Sequence, residues 1–331
     1  MIIEQRAYAR AGLLGNPSDG YFGKTISITV RNFGANVSLY ESPELHIEPQ
    51  AEDINMYRNI YHLVENVKLT GYYGGARLLK AAIIKFFEHC TQQGYQFTHK
   101  NFTIRYRSSI PRQVGLAGSS AIITAAMRAM MQFYEVEIPL NELPNIVLSA
   151  ETDELGITAG LQDRVIQTFE GCVFMSFDKD IMRRQGFGLY ERIDPDLLPR
   201  LFIAYRTDLS KVSGKVLNNV RTRWERKDPE VVETMNRIAE IAEEGRDAIL
   251  KQQTGKLHDL MNENFDCRSK IMNISDRNMS LVQVARQCGA SAKFTGSGGS
   301  IIGIYRDDAM LNKLAVELKK VNARVLKPYI V

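Results

Sequence analysis

An α+β chain of two domains is the architecture this sequence predicts, on three observations. The 331 residues are about twice the length of a typical domain. From residue 280 onward the pattern runs helix, strand, strand, helix, strand. That is the order of a ferredoxin-like layer of helices on an antiparallel sheet. Earlier, residues 25–207 alternate β-rich segments with amphipathic helices, whereas residues 211–265 are polar, charged and helical. The change of texture sets a boundary between 180 and 200, giving an N-terminal domain over 1–190 and a C-terminal domain over 191–331.

TISITVRNFGANVSLY (25–40) is rich in β-branched and aromatic residues and predicts a strand, with Gly34 as a turn or bulge inside it. GYYGGARLLKAAIIKFFEHC (71–90) opens with glycines and then places Leu78, Leu79, Ala82, Ile83 and Phe86 at helical spacing. FTIRYRSSI (102–110) alternates as a strand and stops at Pro111. A loop of small residues follows and leads into an apolar helix closing near Tyr134. NELPNIVLSAETDEL predicts a second helix, and GCVFMSF (171–177) and RLFIAYRT (200–207) predict strands. SLVQVARQCGA (280–290) reads as a helix ending near Gly289. KFTGSGGSIIGIY (293–305) reads as strand, glycine turn, strand. DAMLNKLAVELKKV is a helix and ARVLKPYIV a last strand.

Composition removes several function classes. The chain is 44% hydrophobic and 24% charged, as an ordinary soluble globular protein is. No apolar run approaches a membrane span, and the N-terminus lacks the apolar core of a secretion signal. Four cysteines (Cys90, Cys172, Cys267, Cys288) form no CxxC pair, which argues against zinc and disulfides and fits a reducing cytoplasm. Cys172 reads as a small core residue. A net charge of +4 is too small to imply nucleic acid, and no basic run is interleaved with aromatics.

Four segments set glycine beside polar residues: ARAGLLGNPSDGYFGKT (9–25), PRQVGLAGSSA (111–121), SAETDELGITAGLQDRVIQTFEGC (149–172) and KFTGSGGSI (293–301). One such loop is usually a turn. Four in one chain suggest a shared cleft, because functional residues concentrate on loops held by a scaffold. In the second, small residues precede a helix. Serine there is either a helix cap or part of an anion site, where backbone N–H groups and the helix N-terminus receive a phosphate.

PRQVGLAGSSA, from Pro111 to Ala121, is similar to the phosphate loop of the GHMP kinases, named for galactokinase, homoserine kinase, mevalonate kinase and phosphomevalonate kinase. That loop has a proline, three variable residues, then Gly-Leu-x-Ser-Ser-Ala; here Gly118 is an extra residue before the serines. GITAGLQD, ending at Asp163, resembles the family's G-x-x-D segment. TGSGGS, ending at Ser300, resembles its C-terminal glycine motif. Arg10 and Gly15 fit the spacing of its first motif. LGNPSDGYFGKTIS, GYYGGARLL, IPRQVGLAGSSAI, ELGITAGLQDRV and KFTGSGG resemble a branch that acts on a sugar acid and carries the same extra residue. The likeness spans about residues 6–300.

The resemblance implies an N-terminal ribosomal protein S5 domain 2-like α/β domain and a C-terminal ferredoxin-like α+β domain. It implies ATP and Mg²⁺, and phosphoryl transfer to the anomeric hydroxyl of D-glucuronate. Another sugar, such as a heptose or a galactose-like hexose, and a non-catalytic nucleotide-binding role are the alternatives. The expected assembly is a monomer or homodimer. Pro111, Gly115, Leu116, Ala117, Gly118, Ser119, Ser120 and Ala121 are then the nucleotide loop. Ser120 and Glu151 are metal ligands, with Ser119 not separable from Ser120. Mg²⁺ takes hard oxygens, one or two of them carboxylates. Asp153 and Glu154 read as a solvated acidic face. Asp163 is the catalytic carboxylate and Arg10 the cation that assists it. Asn16, Asp19, Gly296, Ser297 and Gly298 are expected at the substrate. NPSDG, including Ser18, is also a strong turn signal. A uronate needs a cation; Arg112, Arg164 and Lys24 stand open for that place. Tyr21 and Tyr72 are candidates to pack on a sugar face, against ordinary core packing.

Overall fold

A computed structural model describes residues 2–49, 75–97, 100–208 and 215–331, the side chains of 215–219 excepted. Tyr72 lies outside the described residues. The chain forms two compact units, neither of which is continuous in sequence. The first comprises Met1–Ala9, Asn32–Pro111 and Ala117–Phe169; the second Arg10–Arg31, Arg112–Leu116 and Glu170–Val331.

β1 (Ile2–Leu14) pairs with β2 (Lys24–Ser42). In the first unit, β2 pairs antiparallel with β4 (Asn101–Ser108), from Ala35 opposite Ser108 to Ser42 opposite Asn101. The two-residue β3 (His46–Ile47) adds in parallel to β4. Ala35, Val37 and Leu39 are buried while Asn36 is exposed, the alternation of a sheet with one face on a core. β2 runs unbroken through Gly34 in place of the expected turn. A side chain there would meet Arg6 Nε at 2.6 Å, so the glycine makes room rather than bends the strand.

Among the described residues, this unit also holds the helices α1 (Gly75–Gln92), α2 (Gly118–Tyr134), α3 (Leu143–Thr152) and α4 (Gln162–Phe169). α1 packs on α2 and α3, and α4 on the same two. Phe86 of α1 stacks on Tyr134 at 6.0 Å between ring centroids, which explains the apolar stripe read on α1.

In the second unit, β5 (Cys172–Ser176) pairs antiparallel with β2, Lys24 opposite Ser176 to Ile28 opposite Cys172, and with β6 (Leu189–Ile193). α5 (Lys179–Gln185) joins β5 to β6. A separate sheet holds β7 (Leu201–Arg206), β8 (Lys293–Phe294), β9 (Ser300–Ile304) and β10 (Ala323–Leu326). Its order is β10-β7-β9-β8, antiparallel throughout, the ferredoxin-like arrangement expected. Phe202, Ala204, Phe294 and Ile301 pack with Leu281, Val282, Leu314 and Leu318 of α9 (Asp276–Gln287) and α10 (Asp308–Lys320). The polar stretch between β7 and α9 forms α6 (Lys215–Glu225), α7 (Pro229–Leu250) and α8 (Thr254–Ile271).

Among the described residues no helix is long and apolar enough to cross a membrane. All four cysteines are free and buried. Burial pushes the Cys90 thiol up to about 11 and the Cys172 thiol up to about 12. Reactivity needs thiolate and access, so none of these thiols suits catalysis. A charged thiol reagent at pH 8 is expected to leave the native protein unlabelled within an hour and to label all four cysteines after unfolding, by intact mass. Rapid native labelling would contradict the packing.

Candidate active site

In the first unit the small-residue loop enters α2 through Ala117, whose backbone is left-handed (φ 58°, ψ 50°). No side chain caps the helix, and no acid sits in its first turn. The serines are turned elsewhere. Ser119 Oγ donates to Glu151 Oε1 at 2.7 Å, and the buried Ser120 donates back to Ala117 O at 3.3 Å. The capping explanation for these serines therefore fails. What remains is a helix N-terminus whose orphan N–H groups suit an anion. Gln167 of α4 fixes the entry: its Nε2 donates to Ala117 O at 2.8 Å and to Tyr8 O at 3.2 Å.

Glu151 ends α3 with 0% of its surface exposed. Arg164 of α4, also buried, donates to Glu151 Oε2 from Nε at 2.8 Å and from Nη2, and from Nη1 to Gly160 O at 2.8 Å. Asp163 occupies the first turn of α4, Oδ2 lying 3.5 Å from Arg164 Nη1, with 19% of its side chain exposed. Two carboxylates thus share one buried guanidinium, and the half-open one is Asp163. Arg164 is committed to Glu151, not available to a substrate acid. Asp153 and Glu154 lie 3.8 and 3.1 Å from Lys85 Nζ, on the acidic face expected of them.

In the second unit, Arg10 holds two glycine segments together. Its Nη1 donates to Gly115 O at 2.6 Å and to Thr295 O at 3.1 Å, and its backbone N–H to Leu116 O at 3.3 Å. TGSGGS packs directly on the loop: Thr295 Oγ1 donates to Gly115 O at 3.1 Å, and Ser300 Oγ to Val114 O at 2.5 Å. Gly115 has φ +72°, and a Cβ there would meet Gly298 O at 2.7 Å. Backbone conformation and contact both demand glycine. Gly115→Ala is expected to cost about 1–3 kcal/mol of stability. Urea unfolding checks this; a change under about 0.5 kcal/mol would contradict it. Ser297 is exposed at the tip of the turn, whereas Gly296 and Gly298 are buried in it.

Asn16 is buried, donating from Nδ2 to Phe294 O at 3.3 Å and accepting from Lys293 Nζ. Asn264 of α8 secures the same turn, accepting from Gly15 N at 2.8 Å and donating to Asn16 O at 3.3 Å. Ser18 is fully buried and donates to Lys24 O at 2.9 Å, a structural part of the turn. Asp19 is half-buried in the short 3₁₀ turn Ser18–Tyr21. Lys24 pairs on the surface with Glu243 at 2.7 Å, and Arg112 is exposed. The Tyr21 ring lies 5.4 Å from Trp224, edge-on.

Sequence reasoning missed Gln167, Asn264, Lys293 and Arg268. Lys293 and Gln167 stood inside quoted segments but were not singled out. Asn264 and Arg268 carry no local signal, because each contacts a backbone segment remote in sequence. Lys293 Nζ donates to Gly12 O and Phe294 O at 2.8 and 2.9 Å, and burial with two neighbouring arginines lowers its pKa well below the ordinary value. Arg268 of α8 donates from Nη1 to Gly296 O at 2.7 Å.

The family description "GHMP kinases N terminal domain" matches residues 77–171, and "GHMP kinases C terminal" matches residues 246–324. The chain is 45% identical over 306 residues to "Glucuronokinase 1" of Arabidopsis thaliana, covering 91% of this chain and 84% of that protein. It is 43% identical to "Probable glucuronokinase 2" of the same plant, over 99% of this chain and 91% of that one. In fold it is similar to the galactokinase of Lactococcus lactis solved with galactose, with TM-score 0.79 at 14% identity over 99% of this chain and 93% of that one.

Proposed function

The chain belongs to the GHMP kinases, and from that membership we propose that it transfers the terminal phosphoryl group of ATP to the anomeric hydroxyl of D-glucuronate, giving D-glucuronate 1-phosphate and ADP. One observation carries the substrate: identity of 43–45% to glucuronokinases over nearly the whole chain.

Phosphoryl transfer is mainly positioning and charge neutralisation. We assign the nucleotide phosphates to residues 111–121, with the uncapped start of α2 supplying N–H donors. Asp163 takes the proton of the anomeric hydroxyl as that oxygen bonds to the γ-phosphorus and ADP leaves. Arg10 stabilises charge on the transferred group. Asn16, Asp19 and the tip Gly296, Ser297 and Gly298 bound the sugar.

Phosphoryl transfer from a nucleotide calls for Mg²⁺ to neutralise the phosphates. Glu151 Oε1 and the Ser119 hydroxyl, 2.7 Å apart, form a pair of hard oxygens. Among the described residues no larger acidic cluster gathers. One carboxylate oxygen with serine hydroxyls suits Mg²⁺, which completes its shell with phosphate oxygens and water. Glu151 with Ser119 or Ser120 would hold it, and it would neutralise phosphate charge. Arg164 keeps the other oxygen of Glu151 occupied, and so orients the carboxylate.

We place the enzyme in the cytoplasm, as a monomer or homodimer; four free, buried thiols favour a reducing compartment. We also keep the domain division at 190/191 that the change of sequence texture suggests; it lies between the two matched segments, 77–171 and 246–324.

The test is ADP release with MgATP against D-glucuronate, D-galacturonate, D-glucose, D-galactose, a heptose and mevalonate, with ³¹P NMR of the product. Turnover led by D-glucuronate, with phosphorus coupled to the anomeric proton, is the expected result. Turnover led by another acceptor would discard the uronate assignment and keep the kinase.

A further inference from the structure

Two side chains brace α4 against the start of α2 and against β1, through Arg6, Tyr8, Ala117, Arg128 and Gln167, which all belong to the first unit. Gln167 of α4 is 1% exposed. Its Nε2 donates to Ala117 O at 2.8 Å and to Tyr8 O at 3.2 Å. Arg128 of α2 works in the other direction. Its Nη2 donates to Gln167 O and Thr168 O, both at 3.0 Å, and its Nη1 to Arg6 O at 2.8 Å. A cation on the last carbonyls of α4 is favourable, because those groups lack helical partners and carry the negative end of the helix dipole. The start of α2 and the end of α4 are thus each tied to the other helix and to β1.

Holding Ala117 is costly. Its backbone is left-handed (φ 58°, ψ 50°), a conformation that a residue with a Cβ keeps only when its surroundings impose it. Its carbonyl accepts from the Ala121 N–H and from Ser120 Oγ, both at 3.3 Å, and the 2.8 Å bond from Gln167 is the shortest of the three. Two carbonyl oxygens face the Gln167 amide, so its NH2 end points at them. Oε1 is left buried with no partner among the described residues. A strained residue and an orphaned acceptor meet at one contact, and local costs of this kind collect at functional sites.

We propose that Gln167 is a positioning residue for phosphoryl transfer: it holds the left-handed entry of residues 117–121 in register with α4, the helix that presents Asp163. The inference rests on the assignment of the nucleotide phosphates to that loop and of the base to Asp163. Asp163 and Gln167 stand four residues apart on α4, on one face and roughly 6 Å apart along the axis. The base and the anchor therefore share one rigid element. The direction of the first N–H groups of α2 follows from the Ala117 backbone. The bond that fixes Ala117 thus fixes where a phosphate is received relative to the carboxylate. Gln167 acts through Ala117, without a contact of its own to either substrate.

Gln167→Met keeps the length and volume of the side chain and removes both donors. It is made in the wild-type and in the Ala117→Gly background. MgATP binding is measured by calorimetry, and kcat and KM for both substrates by ADP release. In the wild-type background Gln167→Met is expected to raise the Kd for MgATP about tenfold and to lower kcat, with the KM for D-glucuronate within about twofold. In the Ala117→Gly background the same change should cost less than about threefold, because glycine takes the left-handed backbone without being held there. Equal losses in the two backgrounds would overturn the inference, since the role would then be general packing. So would a Gln167→Met protein that binds MgATP and turns over as the wild type does. Both results leave the kinase reading standing, whereas a wild-type protein that binds no MgATP would overturn that reading as well. Should Gln167→Met not fold, the wild-type protein decides, by ¹⁵N NMR of the Gln167 side-chain amide. MgATP is expected to shift its resonances; an amide unmoved by MgATP overturns the inference.

Discussion

If Asp163 is the proposed base, Asp163→Asn is expected to lower kcat by about a hundred- to ten-thousand-fold while leaving the protein folded and ATP bound. The amide keeps the shape of the carboxylate and its place in the first turn of α4, but it cannot take a proton. The side chain is 19% exposed and lies 3.5 Å from Arg164 Nη1, and asparagine fills nearly the same volume there. Losing the negative charge near a helix N-terminus costs about 0.3–1 kcal/mol. Stability therefore moves little while rate moves by orders of magnitude, and that separation marks a chemical role. The measurement is kcat by coupled ADP release beside ATP affinity by calorimetry. A kcat within tenfold of wild type, with ATP binding intact, would remove Asp163 as the base.

The place of Asp163 was legible because its signal is local: a short glycine-marked segment sets it just inside an apolar helix. The same holds for residues 293–305, where two β-rich runs flank a glycine turn, and so the ferredoxin-like sheet was readable. The N-terminal strand was not, because IIEQRAYARAGLL mixes alanines and charges and its burial comes from partners far away. Nor were the units. Arg10 reaches Gly115, 105 residues on, and Thr295, 285 residues on, so the chain re-enters each unit more than once. Periodicity sees only a few turns and cannot show such pairings. The different surroundings of Ser119 and Ser120 were not readable either: one hydroxyl turns to Glu151 and the other to Ala117 O, directions that the backbone sets. Arg268 sat in a charged helical run where most arginines are solvated, and only its burial distinguishes it.

Arg164→Leu loses about 3–5 kcal/mol of stability, the usual result of stranding a buried charge. Glu151 is fully buried, and Arg164 contributes two of its hydrogen bonds. Removing the guanidinium leaves Ser119 as the remaining donor described for that carboxylate, too little to replace a cation. The bond from Arg164 to Gly160 O is lost as well, so the turn that presents Asp163 loosens. Rate and stability fall together here, unlike in Asp163→Asn. Urea unfolding gives the first, with the midpoint shifting and the slope unchanged. The double variant Glu151→Leu/Arg164→Leu sharpens the argument. An apolar pair of similar volume is often no less stable than the ion pair it replaces, so much of the lost stability should return. Activity should not, because the proposed metal carboxylate is gone. Recovery of stability without activity would show that this pair is kept for its chemistry. Loss of less than about 1 kcal/mol in the single variant would show instead that Glu151 finds another partner, and would weaken the case for Arg164 as its anchor.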